Sequence, residues 1–374
     1  MEKKIIGAAA AIVFAGGMFM AGRYIVDSGI LRGYPDAEYL TSEEAEHKPI
    51  YEQLTKDEKA VYTALYRGIE KKKEKIPLPM ELKDEEYSRI YCILEKQESR
   101  FFYLDSLYYT AMKVRDAKIV YRDKDGAAYK ESELEAAVQS AVDDAYDGLG
   151  DAEKVRYIND YIVDKCRYVS GDDNEYASTS YGCLVRGEAN CEGYAKSFVL
   201  LASELGLDSV VVTGKTDKGE NHAWNQVKVD DVWYNIDVTW ADDDKSGAVH
   251  LMYFLCDDEE FSKTHMADNT LFEPYKCSSD DENYYVHNGL SAETSEEAEE
   301  IVRRELLNGN GIIDIKFTTQ SAYDEFKEEF MNNEKLFKVL IETGYPHDEE
   351  VEIGLKEVPQ ELCMTLDFTA KEAD

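Results

Sequence analysis

The chain has 374 residues, of which 44% are hydrophobic, and carries a formal net charge of −36 from 78 acidic and 42 basic residues. A hydrophobic fraction of this size can fill folded cores, so the composition excludes a wholly disordered protein, and the length suits two or three domains. The negative charge repels phosphate backbones and anionic headgroups, which argues against nucleic-acid binding. The excess of acidic residues is explained instead by solubility, by cationic partners or by divalent ions.

The N-terminal segment predicts where the protein is located. Two lysines precede an apolar run over residues 5–22, which Arg23 closes, and this run is near the lower length limit of a membrane-spanning helix. A cleaved signal peptide has the same basic and apolar parts, but Phe19 and Ala21 are a poor cleavage pair. Residues 1–27 are therefore predicted to be a signal anchor, with a cleaved signal peptide as the alternative. The remainder is expected outside the membrane, anchored by this segment alone or secreted, at the cell surface.

The next part of the chain predicts a linker and an accessory domain. Residues 28–50 carry mixed, acidic sequence and are predicted to be the linker. Thr55 and Glu58 form a capping box before a helical face, and helical spacing resumes after two prolines. Residues 51–148 are therefore predicted to be a mainly helical domain, with a short strand at 117–122.

Two further domains are predicted beyond this point. Residues 149–289 carry the motifs that bear on function, and residues 290–374 read as a small α/β domain with no catalytic constellation of its own. In the first of these, a helix is followed by strands, two of which form a hairpin. The predicted helix covers residues 191–205, and the predicted strands cover residues 209–213, 222–229 and 232–238.

Three side chains in this region supply the groups of a thiol acyl-transfer enzyme. Cys191 begins the predicted helix, where unpaired N–H groups and the helix dipole favour a thiolate. If Val229 opposes Val232 in the hairpin, His222 and Asp237 are diagonal neighbours on one face, with backbones roughly 7–8 Å apart and side chains within reach. A register shift of one residue would separate them. A nucleophile, its base and an orienting carboxylate form a catalytic triad, although each residue alone is as readily structural.

Cysteine, aspartate and aromatic residues elsewhere in the chain are candidates for binding a metal or the substrate. The seven cysteines form no zinc-binding spacing, and their odd number leaves at least one thiol unpaired in a monomer. Three consecutive aspartates at 242–244 are predicted to be a solvated loop instead of a calcium site. No metal or cofactor is therefore predicted. The candidate substrate-binding residues, for which packing in the core is the alternative, are Trp224, Trp240, Tyr181 and Tyr194.

Four short stretches of sequence carry a family resemblance. They cover residues 181–185, 190–195, 221–225 and 233–240. In this order they resemble the bacterial transglutaminase-like superfamily, over about residues 150–270. The resemblance implies an α+β fold with a papain-like core, in which Cys191 is the nucleophile, His222 the general base and acid, and Asp237 the residue that orients His222. The family usually has glycine before the histidine, and Asn221 occupies that place here.

The resemblance also implies a class of reaction. Active members form a thioester from an amide and pass it to water or to an amine, so the protein is expected to be a protease, amidase or transamidase. The expected partner is a protein or peptide substrate, with peptides of the cell wall among the candidates, and no nucleic acid. The alternative is a catalytically silent binding or scaffold protein with the same fold at the cell surface.

Overall fold

The computed structural model describes residues 3–6, 33–145, 147–170, 174–243, 248–332, 335–345, 353–359 and 362–368. The chain divides into two compact units, Met1–Ser279 and Asp280–Asp374. The predicted signal anchor over residues 1–27 lies outside the described residues except for residues 3–6, which form a strand. Within the described ranges, no helix is long and apolar enough to cross a membrane.

The N-terminal part of the first unit combines helices with a four-stranded sheet. Its elements are β1 (Lys3–Ile6), α1 (Pro49–Gln53), α2 (Lys56–Glu70), β2 (Lys75–Lys83), α3 (Asp84–Gln97), β3 (Leu104–Thr110), β4 (Lys113–Tyr121) and α4 (Ala127–Asp144). Helix α2 begins at the predicted capping box, in which Thr55 Oγ1 accepts the Glu58 N–H. The sheet order is β1-β3-β4-β2, a more extensive sheet than the single strand predicted here. Pro77 is accommodated because β2 is an edge strand whose register breaks after it.

The segment predicted as a linker is part of the folded unit from residue 33 onwards. Leu40 and Ile50 are buried. Arg67 of α2 donates hydrogen bonds to Glu38 and Glu44, so charged contacts also hold this segment against the helix. The apolar side chains spaced through the acidic sequence explain why it packs instead of extending into solvent.

The C-terminal part of the first unit contains the predicted helix and hairpin. Its longer elements are α5 (Asp151–Lys165), α6 (Ser180–Leu184), α7 (Cys191–Glu204), β7 (Ser209–Thr216), β8 (Asn221–Val229), β9 (Val232–Ile236), α8 (Val238–Ala241), α9 (Asp258–Phe261) and β12 (His265–Ala267). Four short strands accompany them, namely β5 (Arg167–Tyr168), β6 (Glu188–Ala189), β10 (Asp242–Asp243) and β11 (Ala248–Val249). The main sheet has the order β12-β7-β8-β9 and is antiparallel throughout.

The hairpin has the register that the sequence predicts. Val229 pairs with Val232, and Asp230 and Asp231 between them have φ angles of 45° and 68°, the left-handed conformation of a two-residue type I′ turn. Strand β9 ends at Ile236, two residues earlier than predicted, because the next residue caps helix α8.

Helix α7 packs on the sheet through small side chains. Ala195 and Val199 of the helix form a buried cluster with Val211 and Ala223 of the strands, and Cys191 packs against this cluster. Gly193 is buried, and a Cβ atom there would lie 2.3 Å from the carbonyl oxygen of Ala177. The absence of a side chain here allows the helix to approach a neighbouring loop.

The second unit is a small α/β structure. Its elements are α10 (Tyr284–His287), β13 (Ser291–Ala292), α11 (Ser295–Leu307), β14 (Ile312–Phe317), α12 (Gln320–Glu325), a π-helical segment (Phe326–Asn332), α13 (Lys335–Thr343), β15 (Gly354–Val358) and β16 (Cys363–Asp367). The sheet order is β13-β14-β16-β15, and β13 is parallel to β14. Thr294 caps α11 by accepting the Glu297 N–H. The unit begins at Asp280, whereas the sequence predicts a boundary at residue 290.

Candidate active site

Helix α7 presents Cys191 at its first position. The capping side chain of Asn190 accepts hydrogen bonds from the N–H groups of Glu192 (3.1 Å) and Gly193 (3.3 Å). The N–H of Cys191 itself makes no hydrogen bond within the described ranges. None of the seven cysteines is in a disulfide bond, and Cys191 alone among them is partly exposed. Of these thiols, Cys191 is the one that a substrate can reach.

His222 lies between Cys191 and Asp237. Its Nε2 is 2.7 Å from Asp237 Oδ2, and the Cys191 thiol lies near enough to the ring to contribute to its pKa. Because Nε2 is engaged by Asp237, Nδ1 is the nitrogen left for the sulfur. Burial alone would lower the pKa of His222, but the charge and hydrogen bond of Asp237, with a contribution from Cys191, raise that pKa from 6.5 to about 10. The imidazole is therefore held in its protonated form near neutral pH.

Asp237 receives a hydrogen bond from each of four donors. Its Oδ1 accepts the backbone N–H groups of Thr239 (2.9 Å) and Trp240 (3.2 Å), which start helix α8. Its Oδ2 faces the Nε2 atoms of His222 and His265 (3.1 Å). Burial raises the pKa of this carboxyl, but the charge and hydrogen bond of His222 and the contact with His265 outweigh burial and lower the pKa below its usual range. The carboxylate stays ionised and fixed in orientation.

The sequence reasoning did not identify His265. Its side chain is fully buried, its Nδ1 lies 2.8 Å from Thr264 Oγ1, and its ring stacks on Phe261 at 3.9 Å. It belongs to a three-residue edge strand, which is too short for a periodic pattern to reveal. The available signal was a histidine 28 residues after Asp237, in a chain with only six histidines.

Comparison with known families agrees with this geometry. The family model described as transglutaminase-like superfamily matches residues 135–238, a range that contains Cys191, His222 and Asp237. Residues 135–238 belong to the transglutaminase-like superfamily. The resemblance predicted from the four motifs is confirmed, and the mixture of helices and strands agrees with the predicted α+β fold class.

Individual relatives of this transglutaminase-like domain are distant. The chain is 29% identical over 140 residues to the kyphoscoliosis peptidase of Mus musculus. The matched region covers 32% of this chain and 21% of the peptidase. A transglutaminase structure shows 19% identity, covers 39% of this chain and 45% of its own, and has a TM-score of 0.26. A candidate cysteine protease from Cytophaga hutchinsonii shows 18% identity, coverages of 29% and 37%, and a TM-score of 0.25. The chain thus spans less than half of each of these proteins.

The buried side chains of the transglutaminase-like site have the composition of a metal site as well. His222, Asp237 and His265 place ligand atoms within 4.8 Å of one another. However, the two nitrogen–oxygen distances of 2.7 and 3.1 Å are those of N–H···O hydrogen bonds, and both ring nitrogens would have to lose their protons before they could bind a metal. The arrangement therefore favours a hydrogen-bonded triad with a second histidine.

Three of the four predicted substrate-binding aromatics are buried, which favours the stated alternative for them, packing in the core. Tyr181 and Trp224 are each 2% exposed and Tyr194 is fully buried. The hydroxyl of Tyr181 donates to Glu133, and that of Tyr194 donates to Asp242, so both tyrosines bind polar groups inside the fold.

Two other aromatic side chains border the reacting groups. Trp240 is partly exposed, and its ring stacks on that of His222 at 5.3 Å. Tyr168 is 40% exposed and pairs with Ala189 just before the nucleophile. Burial, and after it the charge of Cys191, raises the pKa of the Tyr168 hydroxyl. Trp240 keeps its predicted role as a candidate contact for substrate, and Tyr168 joins it.

A buried cluster of four charges holds the first turn of α7 against α3. Lys196 Nζ lies 2.7 Å from Glu95 and 2.8 Å from Glu192, and Lys96 Nζ lies 3.1 and 2.7 Å from the same two carboxylates. Burial raises the pKa of Glu95, but the two ammonium groups outweigh it and lower that pKa well below its usual range. Since Glu192 follows Cys191 directly, the cluster fixes the part of the helix that presents the thiol.

Proposed function

We propose that this protein is a cysteine enzyme that forms a thioester from a protein or peptide amide and passes the acyl group to water or to an amine. One observation carries the proposal. A partly exposed thiol at a helix N-terminus lies near an imidazole whose Nε2 is fixed by a buried carboxylate. This arrangement supplies a nucleophile, a proton donor and an orienting group at one place in the fold.

The first half of the reaction follows from the protonation states. With His222 protonated by virtue of Asp237, Cys191 can react as a thiolate and attack the amide carbonyl carbon. The oxygen of the tetrahedral intermediate can accept the unengaged N–H of Cys191 at the helix N-terminus. His222 then gives its Nδ1 proton to the amine nitrogen, the carbon–nitrogen bond breaks, and a thioester with Cys191 remains.

The second half of the reaction reverses the role of the histidine. The neutral imidazole takes a proton from water or from an incoming amine, which attacks the thioester carbon. The carbon–sulfur bond then breaks and the thiolate re-forms beside a protonated His222. Asp237 and, behind it, His265 keep the ring in one orientation through both halves.

The supporting observations favour hydrolysis of peptide amides among the possible outcomes. The curated relative is named a peptidase, and it matches this chain over 140 residues. Water needs no dedicated binding site, whereas an amine acceptor does. The basic and apolar N-terminal sequence supports a location outside the membrane, either behind a signal anchor or after secretion. Peptides of the cell wall would be accessible at that location, so they are candidate substrates.

The alternative is a catalytically silent scaffold, and reaction with iodoacetamide at pH 7 separates the two. We expect Cys191 to be alkylated selectively and faster than a free thiol, as mapped by peptide mass spectrometry, and to react at least about tenfold more slowly in His222→Ala. His47→Ala is the matched control, because His47 also pairs with an aspartate, Asp208, but does so beyond the other end of α7. A Cys191 that reacts like a free thiol in all three proteins would favour the scaffold.

A further inference from the structure

Two buried cysteines lie together in the fold just before the nucleophile in the chain. Cys166 follows the last residue of helix α5 and is 5% exposed, and Cys183 belongs to helix α6 and is fully buried. Gly187 connects the backbones at these two places. Its N–H donates to the Cys183 carbonyl (3.2 Å), and its carbonyl accepts the N–H of Arg167 (3.0 Å), the residue after Cys166. The backbone therefore brings the two cysteines to neighbouring positions.

The two side chains share one buried space beside helix α7. Tyr194 of this helix donates its hydroxyl to the Cys166 carbonyl (3.0 Å), and α7 also packs against α5 and α6. Burial raises the pKa of the Cys183 thiol, and the Cys166 thiol is the next largest cause of the rise. Ser197 of α7 acts on the same thiol in the opposite direction. Each of these effects requires side chains that are near one another, so the two thiols face each other across this space.

The chain between the two cysteines supports the start of the nucleophile helix. The Ala177 carbonyl accepts the N–H of Asn190 (3.0 Å), and the Asn190 side chain donates to Ser178 Oγ (2.9 Å). Asn190 is the residue that caps α7 and precedes Cys191. A covalent bond between Cys166 and Cys183 would restrict this part of the chain in the unfolded state and would thereby stabilise the folded support of the helix.

We propose that Cys166 and Cys183 form a disulfide bond that stabilises the support of helix α7. The location proposed above, outside the membrane, is one in which disulfides persist. Neither thiol takes part in the proposed acyl transfer, so the disulfide and the enzymatic function can fail independently of each other.

The bond forms by thiol–disulfide exchange with an oxidant that is itself a disulfide, such as oxidised glutathione or a protein disulfide. The Cys166 thiol loses its proton, and its sulfur attacks the oxidant, forms a mixed disulfide and releases one thiol. The Cys183 thiol then loses its proton, and its sulfur attacks the Cys166 sulfur and releases the second thiol. The two cysteines lose two protons and two electrons in total, and the oxidant is reduced to two thiols.

Peptide mapping of the full-length protein tests the pairing. One preparation is reduced and then incubated with oxidised glutathione at about pH 8, and a second is produced through an oxidising secretory compartment. Both are treated with N-ethylmaleimide in denaturant and digested without reduction. We expect Cys166 and Cys183 in one cross-linked pair of peptides, and glutathione on the partly exposed Cys191 in the first preparation, as a sign that the oxidant has reacted. Cys92→Ala, which removes a different buried thiol, should leave the cross-link in place.

Thermal unfolding tests the stabilising role. In a Cys191→Ser background, which keeps glutathione off the nucleophile position, the oxidised form should melt at least about 5 °C above the reduced form. Cys166→Ala in the same background should show no such difference. Cys166 and Cys183 both alkylated in the two preparations, a stable glutathione adduct on either of them, or a bond from either to another cysteine would overturn the pairing. An oxidised form that melts at or below the temperature of the reduced form would overturn the stabilising role.

Discussion

Replacing Asp237 by Asn should lower the pKa of His222 by several units. The carboxylate accepts the His222 Nε2 hydrogen bond at 2.7 Å and supplies the main charge that raises the pKa of that histidine from 6.5 to about 10. Asparagine keeps the shape and an acceptor oxygen but removes the charge. Because burial acts in the opposite direction, we expect His222 in the variant to titrate at or below about 6.5, the value of a free imidazole.

The same interaction makes a stability contribution with a defined pH dependence. The folded-state pKa of His222 is raised, so its contribution is fully present below pH 6.5 and is lost as the pH rises through about 10. The side chain is 7% exposed, and the difference between the two pKa values corresponds to on the order of 5 kcal/mol. The pKa of Asp237 is lowered, so the carboxylate remains charged throughout the range above its ordinary pKa of 3.8. The wild type should therefore exceed the variant in stability most between about pH 4 and 6.5.

Histidine-selective NMR measures this pKa without a substrate. The six histidines are few enough for the His222 resonance to be assigned by its loss in His222→Gln. We expect the wild-type resonance to titrate near pH 10 and the Asp237→Asn resonance near or below pH 6.5. A His222 that titrates near 6.5 in the wild type, or at the same pH in both proteins, would refute the reasoning.

Three further substitutions test the surroundings of the triad. Lys196→Met leaves the buried Glu95 and the partly exposed Glu192 with one lysine, and it should lower the free energy of unfolding in urea by about 3–5 kcal/mol. Lys228→Met, which breaks an ion pair at the surface, should cost at most about 1 kcal/mol. Similar losses from the two substitutions would contradict the role of the cluster. His265→Phe removes one donor from Asp237, at a cost of about 1.5–3 kcal/mol, and should slow alkylation of Cys191 less than His222→Ala does. Gly193→Ala should destabilise by about 1–3 kcal/mol in thermal unfolding, because its Cβ would meet the Ala177 carbonyl, and an unchanged melting temperature would argue against that contact.

The sequence was most informative where one physical rule determines the geometry. Alternation of side chains across a two-residue turn fixed the register of Val229 and Val232, and that register brings His222 towards Asp237. Asp237 itself does not lie in the strand, because a carboxylate before a short helix also serves as its cap. A sequence pattern predicts that a strand continues as long as polar and apolar residues alternate. It does not reveal that the Asp237 side chain accepts the backbone N–H groups of Thr239 and Trp240 and so ends the strand.

Burial of the aromatic residues and the second histidine could not be predicted in the same way. Tyr181 and Tyr194 look like exposed binding residues in a motif, but each hydroxyl finds a carboxylate inside the fold, and this depends on packing between distant segments. His265 reaches Asp237 through pairing of β12 with β7, across about fifty residues of sequence.

The central claim is that Cys191 forms an acyl-enzyme with the help of His222. The most direct measurement is the pre-steady-state reaction with a p-nitrophenyl ester, quenched in acid and analysed by intact mass and peptide mapping. The account predicts a burst of p-nitrophenol close to one equivalent, an acyl group on Cys191 that is then released to water, no burst in Cys191→Ser, and slow acylation in His222→Ala. An acyl group absent from Cys191, or formed there equally fast in wild type and His222→Ala, would contradict it.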